Sequence, residues 1–218
     1  MLIGVRQRLV FVANTKTGST AIEQALAPHC EIMRGGTPAQ KHMQLAQLAQ
    51  EYGFLFNQPA HPLDSYFKFG VMRDPIQWIQ SWFRYRKGND VESRLPADMT
   101  LAQFWARRDW NIQRANGTKY LQSDLFTDAQ GRLLADVIIP HHDLNAHFQA
   151  ICTALKIKAP LYQANVSRLQ RIGDDIPESL LAEMREFYAE DYALFNRLPE
   201  LNAAGMAQLA ARRAGAEG

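Results

Sequence analysis

The chain has 218 residues, 47% of them hydrophobic, with 24 lysines and arginines against 22 aspartates and glutamates and a formal net charge of +2. That length and apolar content suffice for one compact domain with a substantial core, and so small a net charge offers no broad basic surface to nucleic acid. No apolar run reaches about 18 residues and Met1 to Gln7 lacks a long hydrophobic stretch, so the sequence predicts neither a membrane span nor export, and a cytoplasmic protein is expected.

Leu9 to Ala13 is an uninterrupted apolar run, short enough to be a strand buried on both faces. Asn14 to Thr20 then holds one lysine, one glycine and four hydroxyl side chains, and Ala21, Ile22, Ala25 and Leu26 resume at helical spacing. The reading is strand, tight polar loop, helix. A helix N-terminus leaves N–H groups unpaired and carries partial positive charge, so Lys16 and the backbone of Thr17, Gly18, Ser19 and Thr20 suit a phosphate. The plainer alternative is that Ser19 caps the helix and Lys16 points into water. In a nucleoside triphosphatase loop the lysine follows the last glycine; here Lys16 precedes Gly18 by two residues, which makes this a different anion loop.

Gly35-Gly36-Thr37-Pro38 breaks any regular element, and Lys41-His42-Met43 leads into QLAQLAQEYG, a predicted helix that Gly53 would stop. His42 would lie at or just before its start. Two cysteines, Cys30 and Cys152, lack ligand spacing, so neither a disulfide nor a metal is expected from them. Tyr66 to Met72 is a second strand-like run, followed at once by Arg73-Asp74-Pro75 and a helix containing Trp78, Ser81, Trp82 and Tyr85. Pro75 belongs in a first helical turn, which places Arg73 at the strand-to-helix turn and Ser81 about two turns in. There Arg73 would fork onto a phosphate while Ser81 adds a hydroxyl. Arg84, Arg86 and Lys87 at the helix end would form one basic patch.

Lys16-Thr17-Gly18-Ser19-Thr20 after a buried strand, with Arg73 and Ser81 eight residues apart after a second, resembles the donor site of sulfotransferases that use 3′-phosphoadenosine 5′-phosphosulfate (PAPS). The resemblance extends over about residues 9 to 196 and is closest to a bacterial and Golgi-like branch acting on carbohydrates. It implies a P-loop-like fold, a 5′-phosphosulfate held by Lys16 and the loop, a 3′-phosphate read by Arg73 and Ser81, a saccharide hydroxyl as acceptor, and no metal. It also implies a histidine base, for which His42 is the choice and His61, in NQPAHP, the rival; imidazole suits the task because its pKa lies near neutrality.

Farther along, Gly88 to Asp98 reads as an exposed loop bordering the acceptor cleft, and Thr100 would cap a helix whose Leu101, Phe104 and Trp105 face the core. Ala135 to Ile139 is a third strand. Relatives follow it with Arg-Phe-Glu or Arg-Tyr-Glu, whereas this chain has Pro140-His141-His142-Asp143-Leu144, so that arginine has no counterpart. His141 and His142 are chain neighbours that point apart, with no carboxylate or cysteine cluster to complete a metal site. Leu161 to Gly173 resembles the family's Asn-x-Ser loop that closes over the nucleotide, with Arg168 and Arg171 as phosphate contacts. Pro177 to Phe195 is the closing helix, and residues 200–218 would be a frayed or mobile tail beyond a single domain at residues 1–199.

Together the elements predict a three-layer α/β domain, its mostly parallel central sheet flanked by helices, with both anion motifs at carboxyl ends of strands. Two other functions stay open. A nucleotide kinase would need a metal-holding carboxylate at a strand end, for which Asp74 is the candidate. A non-catalytic nucleotide-binding protein would keep the donor site and dispense with His42.

Overall fold

The computed structural model describes residues 1–162 and 176–215. Among them are five strands, β1 (Leu2–Gly4), β2 (Leu9–Val12), β3 (Ile32–Met33), β4 (Phe67–Met72) and β5 (Val137–Pro140). The helices are α1 (Ser19–Leu26), α2 (Pro38–Lys41), α3 (Leu48–Glu51), α4 (Gly53–Phe56), α5 (Pro75–Gly88), α6 (Leu101–Ala106), α7 (Leu144–Ala154), α8 (Glu178–Phe187), α9 (Ala189–Phe195) and α10 (Leu198–Gly215). Strands join in one sheet in the order β3-β1-β2-β4-β5.

The sheet is mixed, not mostly parallel as expected. β4 runs parallel to β2 and β5, with Phe11 opposite Phe69 and Val71 opposite Ile139, but β1 is antiparallel to both β2 and β3. The four residues from Val5 to Arg8 join β1 to β2, and so short a connection links only antiparallel neighbours. Arg8 closes the turn at φ 54°, its N–H donating to the Val5 carbonyl at 3.3 Å.

Side chains alternate between the faces of the sheet. Leu9 and Phe11 of β2, Phe69 and Val71 of β4, and Val137 and Ile139 of β5 pack with Ile22 and Leu26 of α1 and Phe148 and Ile151 of α7. Val10, Val12, Met72 and Ile138 face the other way, onto Leu45, Leu48, Leu55 and Phe56. That is why the strands read as continuous apolar runs: both faces are covered. The helix expected over QLAQLAQEYG is a 3-10 turn at Leu45–Gln47 followed by α3 and α4, and Gly53 opens α4 where it was expected to end a helix. A third, aromatic cluster joins Trp78, Ile79 and Phe83 of α5 to Phe104 and Trp105 of α6 and to Met184 and Tyr188. Thr100 caps α6 as predicted, accepting from the Gln103 N–H.

The expected loose tail is also corrected. Residues 198–215 form α10, which lies along the open edge of β5. The Asn202 side chain accepts from the Ile138 N–H and donates to the Ile138 carbonyl, both at 2.8 Å, taking the place of a further strand. The helix approaches so closely that a Cβ on Gly205 would collide with the Asp136 carbonyl oxygen. The expected closing helix is two, α8 and α9, meeting at Tyr188. No helix among the described residues is long and apolar enough to cross a membrane.

Candidate functional site

Because β2, β4 and β5 run parallel, their carboxyl ends meet at one edge, and the loops that follow them form the site. Asn14, fully buried, donates its side-chain N–H to the Val71 carbonyl at 3.0 Å and to Gln122 Oε1 at 2.9 Å, tying the ends of β2 and β4 together. Thr17 Oγ1 donates back to the Asn14 carbonyl. Lys16 and Gly18 both adopt left-handed backbone, at φ 59° and 75°, which folds the loop tightly before α1. Gly18 occupies the N-cap position and no side chain among the described residues caps the helix. Ser19 is the first helical residue, so the capping role that composition allowed for it is not the one it has. The N-terminal end of α1 is thereby left to a ligand or water.

Lys16 does not point into water. Its Nζ lies 3.7 Å from the centroid of the Tyr85 ring and 5.7 Å from that of Trp82, both on α5. Burial, then the neighbouring Arg73 and Arg84, push its ammonium down to about 8. Arg73 follows β4. Its Nη1 donates to the Lys16 carbonyl at 3.4 Å, while its backbone N–H and C=O bond both ends of the Gln122 amide at 3.1 and 2.8 Å. Gln122 and Ser123 donate their N–H groups to the buried Asp191 carboxylate, which burial pushes up to about 6. Burial and Arg84 push the Arg73 guanidinium down to about 10, and its buried Nε, like Thr15 Oγ1, has no hydrogen-bond partner among the described residues. A buried donor without a partner is rare enough to need a reason, and an anion accepting from Arg73 supplies one.

α5 starts at Pro75, capped by Asp74, which accepts from the Gln77 N–H and also from the Tyr192 hydroxyl at 3.2 Å. Ser81 is half-buried on the second turn, and Arg84 and Tyr85, three and four residues on, share its face. The basic patch expected from Arg84, Arg86 and Lys87 is divided: Arg84 faces Lys16 and Arg73, whereas Arg86 is buried, with its Nη1 3.0 Å from Asn111 Oδ1 and 3.1 Å from Asp109 Oδ2.

His42 follows α2 instead of opening a helix. Its Nδ1 donates to the carbonyl of Ala13, the residue after β2, at 2.7 Å, which leaves Nε2 as the basic nitrogen. Burial dominates in lowering its pKa below 6.5, so the ring is neutral at pH 7. His61 bonds the Tyr66 hydroxyl, one residue before β4 begins, and therefore sits at the opposite end of that strand from Arg73. Six residues of strand span about 20 Å, which removes His61 as a rival base.

His141, on the 3-10 turn after β5, was not expected at the site. Burial and the charge of Arg73 push its imidazole down to about 4, placing a neutral ring beside the guanidinium. Leu144, three residues on, would meet a Cβ at Gly18 at 3.1 Å, so this segment walls the loop. Arg168 and Arg171 lie outside the described residues. No group of three or more histidine, cysteine or acidic side chains is arranged to hold a metal among the described residues. Comparison with protein-family models, curated proteins and solved structures finds no match to this chain.

Proposed function

We propose that the chain transfers a sulfuryl group from PAPS to an acceptor hydroxyl, in a P-loop-like α/β domain. One observation carries this reading: Lys16, Arg73 and Arg84 are gathered where β2 and β4 end, and the Asp74 carboxylate beside Arg73 is engaged with the Gln77 N–H and the Tyr192 hydroxyl. Like charges crowded in a half-buried site disfavour one another until an anion enters. Two such anions on one ligand, spaced to reach both Lys16 and Arg73, fit a nucleotide with a 5′-phosphosulfate and a 3′-phosphate.

When bound, the donor supplies the activated sulfuryl group. Lys16 and the N-terminal amides of α1 hold the 5′ end and stabilise charge on the phosphate oxygen that departs. Arg73 and Ser81 hold the 3′-phosphate and so separate this donor from ATP. His42 Nε2 accepts the proton of the attacking hydroxyl, a step worth roughly 10² to 10⁴ in rate for a positioned base. The commitment of Asp74 to capping α5 and to Tyr192 weakens the kinase alternative, which needs that carboxylate for a metal. Lys16→Ala is expected to abolish sulfuryl transfer with the thermal midpoint little changed; turnover equal to that of the native chain would remove the role given to Lys16.

A further inference from the structure

From the Lys16 ammonium a row of aromatic rings leads outward. Tyr85 lies against Trp82 at 5.9 Å between centroids, and Trp82 against Trp110 at 5.1 Å. Trp82 is nearly buried, but Trp110 is 44% exposed. One side of the Trp110 indole is held by the Trp82 ring and by the Arg86 guanidinium, 5.9 Å from its centroid; Arg86 in turn donates Nε to the Ser93 carbonyl at 2.7 Å and binds Asn111 and Asp109, and Asp109 Oδ1 accepts the Trp110 backbone N–H at 2.7 Å. A large apolar side chain held rigidly in water has its ordering cost met before any ligand arrives. Three residues before Trp110, Arg107 lines an open hollow of about 490 Å³ together with Pro96, Asp98, Met99, Gln103 and Ala106. Arg107 Nη2, on the wall of the hollow, is 3.9 Å from the Asp109 carboxylate that also accepts the Trp110 backbone N–H, so one carboxylate links the hollow to the segment carrying Trp110.

We infer that Trp110 is the stacking platform for one pyranose ring of a saccharide acceptor and that the hollow takes its neighbouring sugars. The inference rests on the sulfotransferase reading above, since the platform is defined by its continuity with Lys16. The electron-rich indole face attracts the partly positive C–H face of a pyranose, as it attracts cations. Asp98, Gln103 and Arg107 offer both acceptors and donors to hydroxyl groups. A small phenolic acceptor would call instead for an apolar pocket closing over most of its surface.

Calorimetric titration with a β-linked glucose hexasaccharide, a uronate-containing hexasaccharide and 4-nitrophenol tests this, with 3′-phosphoadenosine 5′-phosphate titrated in parallel. Trp110→Ala is expected to weaken a hexasaccharide about tenfold or more, Trp110→Phe to retain most of the affinity, and neither to move bisphosphate binding. Failure of both hexasaccharides to bind the native chain, preference for 4-nitrophenol, or an equal loss of bisphosphate affinity in Trp110→Ala would overturn it; the last would give Trp110 to the nucleotide. If the native chain binds no bisphosphate, the parent reading fails and that titration alone says so.

Discussion

Two residues at the end of β2 should set the two limbs of one pH profile. His42 acts as a base only when neutral, and its pKa lies below 6.5, so activity should fall on the acid side as pH drops through that lowered value. Lys16 holds an anion only when charged, and its ammonium titrates near 8, so activity should also fall as pH rises beyond that point. The expected kcat/KM profile is a bell between these limits. His42→Ala should lower turnover by roughly 10² to 10⁴ and remove the acid limb while the alkaline limb persists. An acid limb that survives the substitution would assign the base elsewhere. At this scale the sequence was legible in local order: the places of Lys16 in the loop after β2 and of Arg73 in the turn between β4 and α5 follow from order and spacing, whereas the capping of α5 by Asp74 was not read from it. Arg84, His141, Asn14 and Gln122 reach the site through tertiary contacts between segments as much as 108 residues apart, and nothing in their immediate neighbours announces that.

Among elements, β2 with α1 and β4 with α5 were readable because each is a long apolar run passing into a helix through an informative turn. β1 and β3, three and two residues long, carry too little sequence to display a period, and with them the antiparallel half of the sheet was missed. α10 was misread for a different reason. Its useful residues are small or polar, a glycine where backbones meet and an asparagine that replaces a strand, while alanine-rich composition elsewhere suggests fraying. The prediction belongs here: Asn202→Ala leaves the Ile138 N–H and C=O buried without partners and should cost about 2 to 4 kcal/mol, read as a lower denaturation midpoint. If instead the midpoint is unchanged, α10 does not seal the β5 edge.

In the molecule as a whole, the parallel strands β2, β4 and β5 bring their carboxyl ends together, and β1 and β3, joined by antiparallel pairing, extend the sheet on the side away from Arg73. The α1 and α7 layer supports the loop after β2, the opposite layer carries His42 to the end of β2, and the aromatic cluster of α5, α6 and α8 backs Lys16. Each layer thus contributes one part of the same candidate site. The most direct test of that account is calorimetric titration of the native chain with 3′-phosphoadenosine 5′-phosphate, with ATP and ADP compared in the absence of magnesium, repeated on Arg73→Ala. The account predicts tight binding of the bisphosphate, weak binding of ATP and ADP, and a loss of about tenfold or more in the variant. Preference for ATP, or bisphosphate binding that ignores the substitution, would contradict it.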